Sequence, residues 1–189
     1  MARKRDILIK YEKVVNFFLK ISKILPKKFY LFILKFTRNW SSYIAVFIRY
    51  ICLKNCARRC GNNVFVFSNV YLYNIENLEI GDNVSIHPMC YIESSGGIKI
   101  QDNVSIAHAT TIISEEHLYN DLNINIKDQG MIYKSVLIEN NVWIGAGVRI
   151  LSGSKIRSGS IVAAGAVVTN DVLTNSIVGG VPARVIKER

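Results

Sequence analysis

His117 is the residue whose type and surroundings best suit acid–base chemistry. It is preceded by Glu115 and Glu116, and it lies in a segment that interrupts an otherwise regular sequence pattern. A free imidazole titrates at about pH 6.5, so a histidine can accept a proton from a hydroxyl group at neutral pH. Either glutamate could orient the ring through a hydrogen bond, or both could be solvated. Position alone leaves two interpretations open, a general base and a solvated loop histidine.

The four cysteines give a weaker signal. Cys52, Cys56 and Cys60 are spaced by four residues, which would place them on one face of a helix, and Cys90 stands apart. Zinc sites usually combine two closely spaced pairs of ligands, and the sequence offers neither a second pair nor a nearby histidine. Buried thiols in a reducing compartment are therefore the favoured interpretation, and no metal site is predicted.

A six-residue repeat predicts the elements that must position these side chains. A helix has a period of about 3.6 and a strand a period of two, so neither requires a period of six. A chain that turns a corner every six residues and closes after three sides forms a triangular coil, and stacked aliphatic residues fill its interior. The positions that obey the repeat are Ile80, Ile86, Ile92, Ile98, Ile100, Ile106, Ile112, Ile138, Ile144, Ile150, Ile156, Val162 and Val168.

The repeat divides the chain into three parts. Residues 1–61 are predicted to be a helical segment, residues 62–171 the coil, and residues 172–189 a cap that ends in a short basic helix. An insertion at residues 113–137 leaves the repeat and contains the candidate histidine. Because loops held by a rigid scaffold often carry function, the insertion is the first place to look for a site.

The N-terminal segment is strongly basic. Residues 1–60 contain fifteen of the 24 Lys and Arg residues but two of the 14 acidic ones. Cations interrupt every apolar run, which argues against a membrane span and a secretory signal, and we expect a cytoplasmic protein. No nucleic-acid recognition module accompanies the charge. Cations interleaved with large apolar residues are typical of a helix in a membrane interface, but such helices could also pack on protein with their cations turned outward.

Three motifs in residues 75–189 resemble those of a known family, the hexapeptide-repeat O-acetyltransferases. This family includes galactoside and maltose acetyltransferases and enzymes that modify capsular and lipopolysaccharide sugars. The motifs are Asn140-Asn141-Val142-Trp143-Ile144-Gly145, Ile161-Val162-Ala163-Ala164-Gly165-Ala166-Val167-Val168-Thr169 and Gly180-Val181-Pro182-Ala183-Arg184-Val185-Ile186. The resemblance implies a mostly β fold, a left-handed parallel β-helix of hexapeptide repeats, that assembles as a homotrimer.

The resemblance also implies a reaction and its residues. An acetyl group passes directly from acetyl-coenzyme A, lying along the groove between two coils, to a sugar hydroxyl that His117 deprotonates, in the biosynthesis of a cell-surface polysaccharide. The Ala146 N–H stabilises the oxyanion. Positions that match cofactor-binding sites are Trp143, Gly145, Ala146, Ala164, Gly165, Thr169, Arg184 and Lys187, and candidates for sugar binding are Glu93, Tyr119 and Asp121. Trp143 could instead fill a structural position, and Arg184 and Lys187 could be plain surface cations.

Rival functions remain open at this point. A metal enzyme of the γ-type carbonic anhydrase kind would use histidines from neighbouring coils, but His87 and His108 lack an evident third partner. A non-catalytic trimeric scaffold would leave His117 and Trp143 as structural residues. N-acetylation of a nucleotide-linked amino sugar and O-acetylation of serine are alternatives within the acyltransferases. Peripheral membrane contact through residues 1–60 would favour a lipid-linked or polymeric sugar acceptor.

Overall fold

The N-terminal part of the chain is helical. The computed structural model describes residues 11–22 and 24–189, so residues 1–10 and Lys23 of the predicted helical segment lie outside the described residues. The helices are α1 (Glu12–Ser22), α2 (Lys27–Phe36) and α3 (Tyr43–Cys56). The Ser42 hydroxyl caps α3 by accepting a hydrogen bond from the Ala45 N–H at 3.2 Å. Within the described residues, no helix has the length and apolar character needed to cross a bilayer.

Short parallel strands then stack into three sheets, which form the sides of a triangular solenoid. Sheet A contains β1 (Arg59–Cys60), β4 (Leu78–Ile80), β7 (Ile98–Ile100), β12 (Val136–Ile138) and β15 (Lys155–Ile156). Sheet B contains β2 (Phe65–Val66), β5 (Ser85–Ile86), β8 (Ser105–Ile106), β13 (Trp143–Ile144), β16 (Ile161–Val162), β18 (Ser176–Gly179) and, antiparallel at its edge, β19 (Arg184–Glu188). Sheet C contains β3 (Tyr71–Tyr73), β6 (Tyr91–Glu93), β9 (Thr111–Ile113), β14 (Arg149–Ile150) and β17 (Val167–Val168).

The interior of the solenoid is a stack of aliphatic side chains. All thirteen predicted repeat positions are buried, with at most 2% of any of them exposed. Residues of one coil lie directly beside their counterparts in the next, as Ile86 does beside Ile106. Coil-to-coil stacking therefore fills the core, and the prediction of a parallel β-helix is confirmed.

The structure contains one coil more than the six-residue repeat predicts, at the N-terminal end of the solenoid. Cys60 of β1 pairs with Ile80, which in turn pairs with Ile100, so each of these coils takes 20 residues. After the insertion, Ile138 pairs with Ile156 and the coil takes 18 residues. A 3-10 helix at Ile75–Asn77 occupies part of the extra length in the first coil. The parallel stack runs from β1 to β18, so it begins before residue 62 and continues past residue 171.

The prediction that three cysteines share one helical face is wrong for Cys60. Helix α3 ends at Cys56, and Cys60 belongs to the first strand of the solenoid. Burial raises the pKa of the Cys52 thiol to about 12 and that of the Cys56 thiol to about 11. Burial likewise raises the pKa of Cys60 to about 12 and that of Cys90 to about 11. All four cysteines are free thiols.

The predicted C-terminal helix is also wrong. Residues Arg184–Glu188 form β19, which pairs antiparallel with β18 and places Arg184 opposite Gly179. The last coil would otherwise leave β18 as an open sheet edge, and β19 satisfies its backbone groups. The β-branched residues Val185 and Ile186 suit this strand.

Helix α3 closes the N-terminal end of the solenoid. It packs on β1 and β2, and its Leu53 is fully buried in the same core as the repeat residues. The buried Arg49 fixes the loop after α2, because its Nε donates to the Val66 carbonyl at 2.9 Å and its Nη1 to the Thr37 carbonyl at 2.6 Å. The helical segment is thus the cap that a solenoid needs at an open end.

Candidate active site

The insertion folds into a β-hairpin. Strand β10 (Glu115–His117) pairs antiparallel with β11 (Met131–Tyr133), and His117 lies opposite Met131. The hairpin is shorter than the predicted insertion of residues 113–137, because β9 of sheet C precedes it and β12 of sheet A follows it closely. The connecting loop includes a 3-10 helix at Ile126–Asp128 and is tied together by Gln129, whose Nε2 donates to the Asp121 and Ile124 carbonyls at 2.8 Å each.

A buried serine anchors the base of this hairpin. The Ser114 hydroxyl donates to the Glu93 carbonyl at 2.9 Å and accepts from the Gly96 N–H at 2.9 Å. The Ser114 carbonyl accepts from the Lys134 N–H at 3.0 Å. A Cβ atom at Gly96 would lie 2.3 Å from the Ser114 carbonyl oxygen, so this approach requires glycine. The hairpin therefore leaves the solenoid at a fixed position.

Glu93, a predicted sugar-binding residue, lies beneath the surface at this base. It is 5% exposed, and its Oε1 accepts from the Asn74 side chain and the Ser95 N–H at 2.8 Å each. Its buried Oε2 has no hydrogen-bond partner among the described residues. The observed contacts of Glu93 hold the turn that supports the hairpin.

His117 itself is exposed on β10. Across residues 11–22 and 24–189, no hydrogen bond or ion pair involves its imidazole. Of the two adjacent glutamates, Glu116 faces Lys134, with 3.4 Å between Oε2 and Nζ. The imidazole is thus presented to solvent without a partner from the side chains around it.

The two other candidate side chains of the insertion lie in the loop between β10 and β11. Tyr119 is exposed by 66%. Asp121 uses its Oδ1 to accept from the Asn123 N–H at 2.9 Å, which forms a local turn. Both side chains lie on the insertion that carries His117.

The predicted oxyanion position lies at a corner between sheets B and C. The Gly145 N–H donates to the Val162 carbonyl, and the Ala146 carbonyl accepts from the Gly165 N–H, both at 2.8 Å. A Cβ atom at Gly145 would lie 2.6 Å from the Ala164 nitrogen, so glycine lets the two coils meet here. In the described part of the chain, the Ala146 N–H donates no hydrogen bond. This donor is available to an external acceptor.

Most of the other predicted cofactor residues lie on sheet B or at its corner with sheet C, and Thr169 lies apart from them. Trp143 points outward from sheet B and is 54% exposed. Ala164 and Gly165 follow β16, one coil further at the same corner as Ala146. Arg184 and Lys187 lie exposed on β19 at the edge of sheet B. Thr169 is separate, because it follows β17 and so lies beyond sheet C.

Arg149 is a cation at this corner that the sequence reasoning missed. Its Nη1 donates to the Ala109 carbonyl at 2.8 Å and to the Gly147 carbonyl at 3.0 Å. The guanidinium therefore reaches from sheet C to the turn that contains Ala146. The sequence does contain a feature that could have identified Arg149: it is a cation directly before the repeat position Ile150, where the side chain faces outward.

Two histidines lie along the same corner, on the coils below Ala146. The exposed His108 accepts from the Gly147 N–H through its carbonyl at 2.9 Å. The His87 ring stacks on Phe67 with 4.9 Å between centroids. Burial, and then the charge of His108, lowers the pKa of His87. Within the described residues, no three His, Cys, Asp or Glu side chains gather as a single-chain metal site.

Within a single chain, His117 and Ala146 lie at opposite edges of sheet C. The hairpin leaves where β9 ends, at the corner between sheets C and A, whereas Ala146 lies at the corner between sheets B and C. A polar cleft of about 230 Å³ lies at the third corner, between sheets A and B, and its lining mixes the cations Arg59 and Lys99 with acidic side chains. It contains none of the predicted site residues.

The chain is similar to known acyltransferases in sequence and in structure. The family model described as bacterial transferase hexapeptide (six repeats) matches residues 135–170. A hexapeptide-repeat-containing acetyltransferase from Vibrio cholerae, complexed with acetyl-coenzyme A, is 30% identical over 82% of each chain, with a TM-score of 0.73. A galactoside acetyltransferase in complex with coenzyme A is 33% identical over 82% of this chain and 76% of that chain, with a TM-score of 0.74.

A maltose O-acetyltransferase from Clostridium difficile is more distant in sequence, at 27% identity, but covers 86% of this chain and 85% of its own with a TM-score of 0.74. Among curated protein sequences, none matches the chain significantly. The relatives at 30% and 33% identity are each aligned over more than two thirds of their own length. The chain therefore belongs to the hexapeptide-repeat acetyltransferase family.

Proposed function

We propose that the protein is an acetyl-coenzyme A-dependent O-acetyltransferase that modifies a sugar hydroxyl, with His117 as general base. The observation that carries the proposal is the exposed imidazole of His117, unpaired within the described chain, on a hairpin whose base is fixed by Ser114. The relatives support the donor and acceptor classes, since two are complexed with acetyl-coenzyme A or coenzyme A and two are named as galactoside or maltose acetyltransferases.

The proposed reaction is a direct transfer. His117 removes the proton from the acceptor hydroxyl, and the oxygen attacks the thioester carbonyl of acetyl-coenzyme A. The carbonyl oxygen becomes an oxyanion, which the free Ala146 N–H stabilises. Collapse of this intermediate breaks the carbon–sulfur bond and releases coenzyme A, whose thiolate accepts from the His117 imidazolium the proton that came from the acceptor hydroxyl. The acetyl ester and the coenzyme A thiol are the products.

The donor would bind along the side of sheet B. Trp143 offers an exposed aromatic surface, and Ala164 and Gly165 leave room for a narrow chain at the corner. Arg184 and Lys187 on β19 offer cations for the donor's phosphates, and Arg149 adds a further cation near Ala146.

A homotrimer is part of the proposal, because a complete site requires more than one chain. In a single chain, sheet C separates His117 from Ala146. The loop that follows His117 exposes Leu122 by 96% and Ile126 by 57%, apolar area that a neighbouring copy would cover. We expect a solution mass three times the 21.3 kDa of the chain. A mixture of the impaired His117→Ala and Ala164→Trp proteins, unfolded and refolded together, should be more active than either variant alone if each site joins two copies.

The proposed acceptor is a sugar unit of a cell-surface polysaccharide, modified in the cytoplasm, with residues 1–60 in contact with the inner face of the membrane. The exposed apolar side chains of α1 and α2 support the membrane contact. Assays with acceptor panels should separate sugar hydroxyls from the amine of a nucleotide-linked amino sugar, which is the alternative acyltransferase activity.

Titration of acetyl-coenzyme A into wild-type protein and the His117→Ala variant tests the proposal without knowledge of the acceptor. We expect similar affinities, since His117 acts on the acceptor. The Ala164→Trp variant, which fills the corner beside Ala146, should bind at least about tenfold more weakly, and Thr174→Trp on the exposed surface should bind normally. Absence of binding to the wild type would favour the non-catalytic scaffold instead.

A further inference from the structure

Helix α1 exposes a second apolar face to solvent. Its inward side consists of the buried Val15 and Ser22 and the half-buried Leu19. Val14, Phe17, Phe18 and Ile21 are nevertheless exposed by 47%, 60%, 45% and 49%. Their spacing of i, i+3, i+4 and i+7 places them on one face of the helix. Phe18 also packs edge-to-face on Phe47 of α3, with 5.5 Å between ring centroids, so the outward face rests mainly on Val14, Phe17 and Ile21.

Helix α2 and the loop after it continue this pattern. Phe29, Phe32 and Phe36 are exposed by 43%, 62% and 58%, while Tyr30 on the other side is buried. The Phe32 and Phe36 rings stack with 6.1 Å between centroids, and Phe36 contacts the half-exposed Trp40 edge-to-face at 5.3 Å. We call the exposed residues on α1, α2 and the adjoining loop the aromatic face: Val14, Phe17, Phe18, Ile21, Phe29, Phe32, Phe36 and Trp40.

Lysines border the aromatic face in a repeated arrangement. Phe17 has Lys13 four residues before it and Lys20 three residues after it, and Phe32 has Lys28 and Lys35 at the same offsets. These offsets place the cations beside the rings on the helix surface. All four lysines are exposed, and none forms an ion pair within the described residues. The sequence contains no acidic residue between positions 13 and 75.

This charge pattern favours an anionic bilayer over a second copy of the chain as the partner of the aromatic face. A second copy of the same face would bring lysines against lysines, with no acidic residue between positions 13 and 75 to pair them. An anionic bilayer offers an apolar interior for the rings and negative headgroups for the flanking cations. Since no described helix can span a bilayer, the helices would lie in the plane of its surface.

We infer that the aromatic face of α1 and α2 docks on the surface of an anionic membrane, with its phenylalanine rings in the outer part of the acyl region and its lysines at the headgroups. The inference rests on the membrane contact in the proposed function and names its surface and its lipid. It uses none of the residues assigned to acetyl transfer, so vesicle binding and turnover can fail separately. Docking would hold the solenoid at the surface where a lipid-linked acceptor is found.

Co-sedimentation of the full chain with vesicles tests the inference. We expect the protein to pellet with vesicles of mixed phosphatidylcholine and phosphatidylglycerol and to remain in solution with phosphatidylcholine alone. Raising the salt from about 0.1 M to about 1 M shortens the Debye length from about 10 Å to about 3 Å and should weaken binding strongly. Equal binding to both vesicle types, or binding to neither, would overturn the inference.

Paired variants then locate the surface. The Lys28→Gln/Lys35→Gln protein should bind about thirtyfold more weakly, because each lysine near an anionic surface contributes about fivefold. The Phe17→Ser/Phe32→Ser protein should lose at least as much. The matched controls are Lys155→Gln and Leu173→Ser, whose side chains are also exposed but lie on the last coils. Loss of binding in the controls, or retention in both double variants, would contradict the assignment.

Trp40 provides a readout that needs no change in the helices. In a Trp143→Phe protein, Trp40 is the remaining tryptophan. Its fluorescence should shift to shorter wavelength with anionic vesicles and stay unchanged with neutral ones. If the face instead joins two copies, Phe17→Ser/Phe32→Ser would lower the mass of the protein in solution without any vesicle effect, and the membrane assignment would be wrong.

Discussion

The solenoid and the helical layer use similar apolar residues in opposite ways. Repeat residues of the solenoid, such as Ile106 and Ile144, are fully buried by stacking on the coils above and below. In the helical layer, Phe32 is 62% exposed although α2 is well packed on α3 through its other side. Stacked repeats therefore cover one another within the chain, whereas the second apolar face of these helices is left exposed.

Truncation of one apolar side chain in each region should give the largest difference in the free energy of unfolding. Ile106→Ala should lower the free energy of unfolding by about 3 kcal/mol, as for other buried aliphatic residues, and Phe32→Ala should change it by less than about 0.5 kcal/mol. Denaturant titration of both variants, with vesicles absent, measures the difference. A large cost at Phe32 would mean that protein already covers the aromatic face.

A change at the base of the hairpin should have an intermediate effect on stability, because the contact there is buried but supports an exposed element. Gly96→Ala should destabilise the protein by about 1–3 kcal/mol, since its Cβ would collide with the Ser114 carbonyl and displace the hairpin. Acetyl transfer should fall more than stability, because His117 would move. Ser135→Ala, at an exposed position just after the same hairpin, is the control. Full activity in Gly96→Ala would show that the hairpin position is not critical.

A smaller, pH-dependent effect is expected at the corner between sheets A and B. The Glu139 carboxylate accepts from Arg157 Nη1 at 2.9 Å and from the Ser158 N–H at 2.9 Å, and these contacts lower its pKa. Glu139→Gln should cost about 1 kcal/mol at neutral pH.

The sign of the pH dependence follows from the direction of the pKa shift. A carboxylate with a lowered pKa stabilises the fold above its unfolded pKa of about 4.3, and this contribution is lost as the pH falls through the folded pKa. Unfolding free energies of wild type and Glu139→Gln should therefore differ at pH 7 and converge under acid conditions below pH 4. A difference that grows on acidification would contradict the account, and the exposed Glu188→Gln is the control.

The sequence predicted the solenoid because its interior repeats at fixed spacing. The first coil was missed, since Cys60 is not aliphatic and coils of 20 residues shift the six-residue series by two. The C-terminal strand was missed because its pairing with β18 is a property of the sheet edge. His117 was found from the interruption of the repeat, whereas the contact of Ser114 with Gly96 depends on how coils stack across 18 residues.

Turnover by a His117→Asn variant tests whether His117 is the general base. Release of coenzyme A from acetyl-coenzyme A, measured with a panel of sugar acceptors, should fall by about 10²–10⁴-fold in kcat, the usual contribution of a general base. Binding of acetyl-coenzyme A should be unchanged. The control Lys155→Gln, at an exposed position on sheet A away from the assigned residues, should keep most of the activity. Wild-type turnover by His117→Asn would contradict the assignment of His117 as the base.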